Sequence, residues 1–234
     1  IILVRHGESL GNVDENTYVT TPDWRIPLTE RGNEQAAAAG KRLASLLGPR
    51  ETAFIYNSPY VRTQQTTDHL VEQIDAGSDE GWDRRVLARR EDPRISEQQF
   101  GNYQDYDEVQ RAKAERANFG RFFYRFPDGE AGLDVFNRVT GFISTLFRDS
   151  KARQQNGQDM ANVNVIIVTH GLTLRLFIMR WFHLSVDDFE RMWNPDNAFL
   201  AVMERKTSIC GSRAWFELTE TTREHLHIPA SAVS

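Results

Sequence analysis

Apolar residues along the chain fall into two patterns, short unbroken runs and longer stretches with a spacing of three or four residues. Unbroken runs of β-branched and other apolar residues are typical of strands that are covered on both faces of a sheet. They predict strands in the segments 1–4, 54–59, 164–171, 199–205 and 213–219. The clearest of these is NVIIVTHG (164–171), which has no polar alternation and is therefore expected near the centre of the sheet.

The spaced pattern predicts the helices. Thr29 is a capping residue for a helix within 28–48, which Gly48 and Pro49 end. Further helices are predicted in the following segments: from Pro59 towards Ile74, 105–126, from the PDGE sequence at 127–130 onwards, and 172–182. Polar stretches at 75–86 and 151–162 are predicted to be loops, and Ser96–Tyr103 to be irregular.

Predicted strands and helices alternate along the chain, so the fold class is α/β with a largely parallel sheet. No low-complexity linker divides the 234 residues, and a single domain is therefore favoured.

Composition narrows the classes of function. The net charge of -5 argues against a general affinity for nucleic acid or for anionic membrane surfaces. No apolar run approaches the roughly 20 residues that a membrane span needs. The only cysteine, Cys210, has no partner for an intramolecular disulfide, which fits a reducing compartment and predicts a cytoplasmic protein. Because Ile1 lies inside a predicted strand, we expect further residues upstream, which leaves a targeting segment open.

Two of the predicted strands end in His-Gly, at His6 and at His170. Ligands of open α/β sheets bind beyond the carboxyl ends of the strands, where Arg5, His6 and His170 are expected to meet. A third strand end leads into Arg62 in the first turn of a helix, a position that attracts anions. A forked guanidinium there suits phosphate.

These residue types suit phosphoryl transfer. A neutral imidazole nitrogen can attack phosphorus and form phosphohistidine. Arginines and a second histidine can stabilise the charge on the transferred group, and a carboxyl with a raised pKa can serve as acid and then as base. The sequence therefore predicts a phosphoryl-transfer enzyme with His6 as its nucleophile.

The segment RHGES (5–9), followed by Asn12, resembles the signature of the histidine phosphatase superfamily, which also contains the cofactor-dependent phosphoglycerate mutases. The resemblance continues in order through PLTERG (27–32), SPYVRTQQT (58–66), ISEQQFG (95–101), DGE (128–130) and VTHG (168–171). Within the superfamily, segments 20–32 and 119–130 resemble a plant, fungal and protist group of phosphoglycerate-mutase-like proteins.

The resemblance implies a three-layer sandwich with a mostly parallel central sheet flanked by helices, formed by one domain over 1–234 with an inserted substrate-cap region around 75–130. It implies His6 as the phosphorylated nucleophile and Glu97 as the acid and base. It implies a phosphate pocket formed by Arg5, Asn12, Arg62, His170 and the backbone N–H of Gly171. The expected substrate is a small phosphorylated molecule, with a phosphoprotein as the alternative, and neither a cofactor nor a metal is expected. The resemblance implies no particular oligomeric state.

The segment after the acid decides between two activities. Where the mutases read ERHYG, this chain reads EQQFG at 97–101. It also lacks a clear counterpart of their downstream arginine pair, although Arg116, Arg121 and Arg125 could supply cations. Both departures favour hydrolysis of the phosphohistidine by water. A phosphoglycerate mutase is the first alternative, and a phospho-ligand-binding or scaffolding module with little turnover is the second.

Individual residues have alternatives too. Glu91 or Glu130 could take the role of Glu97, and Asn12 could merely cap a turn. A zinc site on His6 and His170 would lack a third ligand at the usual spacing. The arginines at 84, 85, 89 and 90 are interpreted as a solvated face rather than a polyanion site.

Overall fold

The computed structural model describes residues 1–48, 50–76, 85–101, 105–160, 162–207 and 214–232. A six-stranded sheet with the order β3-β2-β4-β1-β5-β6 lies at its centre. The strands are β1 (Ile2–Arg5), β2 (Thr52–Asn57), β3 (Val86–Glu91), β4 (Val163–Thr169), β5 (Leu200–Thr207) and β6 (Ala214–Leu218). Strands β3, β2, β4 and β1 pair in parallel, whereas β5 and β6 join antiparallel. This confirms the α/β class and the mostly parallel sheet.

Helices cover both faces of the sheet. They are α1 (Leu10–Val13), α2 (Thr17–Thr20), α3 (Glu30–Leu46), α4 (Val61–Ala76), α5 (Tyr106–Phe119), α6 (Gly132–Gln155), α7 (Gly171–Phe182), α8 (Val186–Arg191) and α9 (Glu220–Leu226). Short 3₁₀ turns lie at Asp23–Arg25, Pro93–Ile95 and Ala230–Ala232.

The core has two halves because successive side chains of a strand point to opposite faces. On one face Ile2 and Val4 of β1 belong to a buried cluster with residues of α3 and α4, such as Leu43 and Leu70. On the other face Leu3 belongs to a cluster with residues of α6 and α7. The sheet is thus the middle layer of three, which confirms the expected sandwich.

Several boundaries differ from the predicted ones. The helix predicted over 105–126 ends at Phe119, because Gly120 takes a positive φ of 86° and the chain then turns so that Phe122 and Phe126 are buried. The next helix begins at Gly132 rather than within 127–130, and it continues to Gln155 into the segment predicted as a loop. Strand β3 was not predicted. Residues 77–84 of the predicted loop, Arg84, Cys210 and the turn near Gly211 lie outside the described residues.

Strand β3 escaped prediction because it is an edge strand rich in arginine rather than an apolar run. Its two arginines, Arg89 and Arg90, are exposed, in line with the solvated face expected for this cluster, whereas the arginine before the strand is not. Arg85, just before the strand, is buried and donates to Gly48 O at 2.6 Å. Arg89 forms an ion pair with Asp68. The expected cap region around 75–130 therefore contributes a strand to the sheet as well as the segment after it.

The loop after β1 crosses the first turn of α3 with no room for a side chain. A Cβ on Gly32 would lie 1.9 Å from Glu8 O, and one on Gly7 would lie 2.3 Å from Gly32 O. Both obstacles are backbone atoms, which cannot rotate away. The contact fixes the path of the chain just after His6.

We expect Gly32→Ala to lower the free energy of unfolding by about 3 kcal/mol, because the added methyl group forces two backbone segments apart. Urea unfolding followed by circular dichroism measures the change. Gly141→Ala is the matched control in the interior of α6, where the nearest atom that the new Cβ would meet is Arg94 Nη1 at 3.9 Å. This control should raise stability by up to ~1 kcal/mol through helix propensity. Equal effects of the two substitutions would contradict the packing argument.

Candidate active site

The two histidines predicted to meet at the sheet edge do so. Strands β1 and β4 pair in parallel with Arg5 opposite Thr169, so each strand delivers its following histidine to the same place. The imidazole rings of His6 and His170 lie 5.1 Å apart between centroids, and both side chains are buried.

Hydrogen bonds define the protonation of His6. Its Nδ1 lies 2.7 Å from Gly7 O, so Nδ1 carries the hydrogen and donates it. Nε2 then keeps its lone pair and accepts a hydrogen bond from Arg62 Nε at 3.3 Å. Burial, and then the charges of Arg62 and Arg5, lower the pKa of His6 well below its usual value. The ring is therefore neutral and has its free nitrogen turned towards a cation.

Arg62 is fixed in the first turn of α4 and is only 2% exposed. Its Nη1 donates to Asp23 O at 2.7 Å and to Asp23 Oδ1 at 2.8 Å. Its guanidinium also lies over the ring of Tyr60, 4.8 Å from the centroid. Sequence reasoning missed Asp23, which lies in the 3₁₀ turn between α2 and α3.

His170 is the N-cap of α7, and the free amides of that helix begin at Gly171. Its Nε2 forms a hydrogen bond of 2.9 Å with Ser58 Oγ. Burial and the charge of Arg62 lower the pKa of His170. Its Nδ1 is buried and has no partner within the described ranges. Ser58 was noticed only as part of a motif, and its bond orients the second histidine.

A loop between α8 and β5 closes the back of the site. Pro195 O accepts a hydrogen bond from Arg5 Nη1, and Asn197 Nδ2 donates to His6 O at 3.2 Å. Asn194 packs so closely on Gly171 that a Cβ there would lie 2.3 Å from Asn194 Oδ1. Sequence reasoning missed this loop, because Asn and Pro in such a segment read as ordinary loop residues.

Glu97 is half-buried and lies on a wall of the same cavity as Arg5. One of its carboxylate oxygens accepts the backbone N–H of Gln98 at 3.1 Å. Burial raises the pKa of Glu97, although the charge of Arg62 and the Gln98 N–H oppose the rise. A carboxyl of this kind can hold a proton at mildly acidic pH and release it later.

The backbone that carries Glu97 is held by side chains from α6 and α7. Arg138 Nη1 donates to Ser96 O at 2.8 Å, and Arg138 Nη2 donates to Glu97 O at 2.9 Å. Thr173 Oγ1 also donates to Ser96 O at 2.8 Å. The sequence does offer one sign of this role. Arg138 directly precedes Val139, which lies on the apolar face of α6.

Glu130 and Glu91, the two alternatives to Glu97 as the acid, form other contacts. Glu130 forms an ion pair with Arg138 at 3.1 Å and accepts the N–H of Gln99 at 3.0 Å. Glu91 is exposed and accepts from Gln64 Nε2 at 2.8 Å. Of the three, Glu97 is the one that lines the cavity beside Arg5.

Asn12 is exposed and uses its oxygen locally. Asn12 Oδ1 accepts from the backbone N–H of Ser9 at 3.0 Å and from Asn197 Nδ2 at 3.2 Å. These bonds form a capping box at α1 and link that helix to the loop behind His6. A phosphate contact by Asn12 stays a prediction.

The site opens into a cavity of about 600 Å³. Beyond Arg5, Glu97 and Gly171, its charged lining residues are Arg116, Arg121, Arg175, Glu190 and Arg191. Within the described ranges, no three His, Cys, Asp or Glu side chains are grouped so as to hold a metal ion. In the same part of the chain, no helix combines the length and apolar character that a membrane span requires.

Comparison with known sequences identifies relatives over most of the chain. Phosphoglycerate mutase-like protein AT74 of Arabidopsis thaliana is 44% identical over 209 residues, which cover 87% of this chain and 64% of the relative. This chain therefore spans just under two thirds of that protein's length. Broad-range acid phosphatase DET1 of Saccharomyces cerevisiae is 28% identical, with coverage of 89% of this chain and 86% of the yeast protein.

Solved structures confirm the fold. A mycobacterial glucosyl-3-phosphoglycerate phosphatase superposes with a TM-score of 0.68 at 22% identity, over 93% of this chain and 96% of that one. At this level of identity the likeness concerns the fold alone.

The family follows from the match of residues 1–217 to the model of the histidine phosphatase superfamily (branch 1). This match includes every residue placed at the site above, from Arg5 to Asn197. The chain belongs to the histidine phosphatase superfamily.

Proposed function

We propose that this protein hydrolyses phosphomonoesters through a phosphohistidine formed on His6, with Glu97 as the acid and base. The observation that carries the proposal is the state of His6. Its imidazole is neutral, its Nδ1 is held by Gly7 O, and its Nε2 lone pair faces the Arg62 guanidinium. A substrate phosphoryl group beside Arg62 would therefore meet a ready nucleophile.

In the first step, His6 Nε2 attacks phosphorus and the bond from phosphorus to the ester oxygen breaks. Glu97 gives its proton to the leaving oxygen, so an alcohol departs. Arg5, Arg62 and His170 stabilise the charge on the transferred group, together with the first N–H groups of α7. Arg5 Nε and His170 Nδ1 are both buried without a partner among the described residues, and a bound anion would offset that cost.

In the second step, the Glu97 carboxylate takes a proton from water while the water oxygen attacks phosphorus. The bond from phosphorus to nitrogen breaks, inorganic phosphate forms, and His6 returns to its neutral state. No cofactor is needed in this scheme.

The described part of the expected cap supports a small phosphorylated substrate. Helix α5 is anchored to Glu15, between α1 and α2, which accepts from Lys113 Nζ at 2.6 Å and from Gln110 Nε2 at 2.7 Å. We propose that residues 97–130 act as the substrate cap and thereby favour small molecules over phosphoproteins. The single cysteine supports a cytoplasmic location.

A phosphoglycerate mutase is the second candidate. The relative supporting it is the 2,3-bisphosphoglycerate-dependent phosphoglycerate mutase of Bartonella bacilliformis, 30% identical over 80% of this chain and 84% of that protein. The two residues after Glu97 speak against it. Gln98 Nε2 donates to Glu130 O and Gln99 Nε2 donates to Tyr60 Oη, so this segment offers the substrate no cation.

The test is product analysis with two substrates. With p-nitrophenyl phosphate we expect release of inorganic phosphate that survives added chelator, together with an acid-labile phosphoenzyme that is stable in base. With 3-phosphoglycerate we expect phosphate release. Interconversion of 3- and 2-phosphoglycerate without net phosphate would establish the mutase instead. If the purified, folded chain is inactive with both substrates, the result would favour the phospho-ligand-binding or scaffolding module.

A further inference from the structure

Asp23 places a carboxylate beside the arginine that is proposed to hold the phosphoryl group. It lies in the 3₁₀ turn Asp23–Arg25, and its Oδ1 accepts a hydrogen bond from Arg62 Nη1 at 2.8 Å. The backbone oxygen of the same residue accepts from the same nitrogen at 2.7 Å. The hydrolysis steps proposed above assign no task to the negative charge of Asp23.

The ion pair of Arg62 and Asp23 is largely shielded from water. The Arg62 side chain is almost fully buried, and that of Asp23 is 21% exposed. Salt screens a partly buried pair much less than it screens a surface pair, so the charge of Asp23 should act strongly on Arg62. The guanidinium is a rigid plane, and two hydrogen bonds to Nη1 therefore fix the direction of its other nitrogens.

The guanidinium of Arg62 lies between Asp23 and the nucleophile. Its Nη1 is bonded to Asp23, whereas its Nε donates to His6 Nε2 at 3.3 Å. A phosphoryl group that reaches His6 would therefore meet an arginine that is already paired with a carboxylate. Such an arginine attracts an anion less strongly than an unpaired one, so the carboxylate does not serve tight binding of phosphate.

A weaker field from Arg62 favours the proton on Glu97. The charge of Arg62 acts to lower the pKa of Glu97, and the charge of Asp23 acts to raise it. Asp23 thus offsets part of the effect of Arg62, and Glu97 keeps its proton to a higher pH than it would beside Arg62 alone. Other charged or titratable groups in electrostatic reach of Glu97 include Arg5, Arg175, Tyr18 and Tyr60.

We propose that Asp23 is a positioning residue for phosphoryl transfer, which directs Arg62 towards the phosphoryl group and lowers the net positive charge that Arg62 presents to the site. This inference rests on the proposed phosphatase function. Its consequence is a site that binds phosphate less tightly than Arg62 alone would allow and that keeps the acid protonated for the leaving oxygen. Asp23 acts through Arg62 and not on the substrate directly.

Asp23→Asn tests the charge, because the amide keeps an oxygen that can accept from Arg62 Nη1. Isothermal titration with inorganic phosphate should give a Kd about 3- to 10-fold lower than in the wild type, the effect of removing one nearby like charge. In hydrolysis of an alkyl phosphate, the alkaline limb of kcat/KM should move to lower pH, because Glu97 then loses its proton more readily. Ionisation of the substrate is the same with both proteins and cancels in the comparison.

Asp23→Ala tests the positioning. It leaves Arg62 held by the backbone oxygen alone, so kcat should be about 10-fold lower than that of Asp23→Asn. Asp23→Glu keeps the charge and should keep the alkaline limb at its wild-type pH. Circular dichroism checks that each variant folds, and if Asp23→Asn does not, Asp23→Ala reports the same shift of the limb.

Glu30→Gln is the matched control for the loss of one negative charge. Glu30 is exposed in the first turn of α3. The phosphate affinity and the pH profile of this variant should equal those of the wild type.

Three results would each overturn the proposal: phosphate affinity in Asp23→Asn no higher than in the wild type, an alkaline limb at the wild-type pH in that variant, or equal kcat in Asp23→Asn and Asp23→Ala. In each case hydrolysis by the wild type would leave the phosphatase function standing. If the wild type hydrolyses no phosphomonoester, the proposed function itself fails, while the titration with phosphate still tests the charge of Asp23.

Discussion

Replacing His6 with alanine is expected to lower kcat for hydrolysis of p-nitrophenyl phosphate by about 10⁴-fold or more, because the covalent route disappears with its nucleophile. The phosphoenzyme should vanish as well. Both are measured on purified protein, the first from release of p-nitrophenol and the second by alkaline quenching after incubation with a radiolabelled substrate.

Binding should survive in this variant. Arg5 and Arg62 do not depend on His6 for position, since their guanidinium groups are held by Pro195 O and by Asp23. Inorganic phosphate should therefore still protect the His6→Ala protein against thermal unfolding. This separates the loss of the nucleophile from the collapse of the pocket.

His183→Asn is the control. His183 is exposed and ends α7 in the left-handed conformation with φ of 56°, which asparagine also adopts readily. The kcat of the His183→Asn protein should equal that of the wild type. Phosphoenzyme formation by His6→Ala at the wild-type level would exclude His6 as the nucleophile.

The second large effect is expected for Glu97→Gln. Glutamine keeps the shape of the side chain but cannot give a proton to the leaving oxygen, so kcat/KM for an alkyl phosphate should fall by about 10²- to 10⁴-fold. The loss should be much smaller for p-nitrophenyl phosphate, because p-nitrophenolate leaves without protonation. A comparison of the two substrates in steady-state kinetics measures the difference.

The pH dependence follows from the opposite shifts of the two groups. Glu97 must be protonated to act, and its raised pKa keeps it so to a higher pH than an ordinary glutamate. Activity should therefore fall as the pH rises through the pKa of Glu97. His6 must be neutral, and its lowered pKa keeps it so to a lower pH, where activity falls as the ring becomes protonated. The optimum of kcat/KM is thus expected on the acidic side of neutrality.

Glu97→Gln should abolish the fall on the alkaline side while the acidic limb persists. Glu91→Gln is the matched control, since Glu91 is exposed and contacts Gln64 outside the cavity, and its profile should match the wild type. A rate that rises steadily from about pH 5 to pH 9 in the wild type would contradict the assigned roles.

Much of the site could be predicted because it is encoded locally. A buried strand followed by His-Gly occurs at His6 and again at His170, and parallel strands bring their carboxyl ends to one edge. Arg62 was found for the same reason, since a strand end and a helix start fix its place within a few residues. The cap at Thr29 also depends on neighbours alone, and its side chain accepts from Gly32 N as expected.

Other features depend on contacts between distant segments, which no local pattern records. Asp23 holds Arg62 from 39 positions away, and Pro195 holds Arg5 from 190 positions away. Strand β3 has the composition of a surface segment, and only its pairing with β2 makes it part of the sheet. The ion pair between Arg138 and Glu130, which favours Glu97 as the candidate acid, is likewise a contact that no local pattern records.

The sequence by itself determined the fold class and the place of His6 at a strand end, because strand ends and helix caps are properties of neighbouring residues. Tertiary structure alone decided what lies beyond the reaction centre. Arg121 and Arg175 are far apart in the chain, and only folding brings both guanidinium groups to Met192 O. The physical reason is that charge acts through space, so its effect depends on the distances and burial that packing sets.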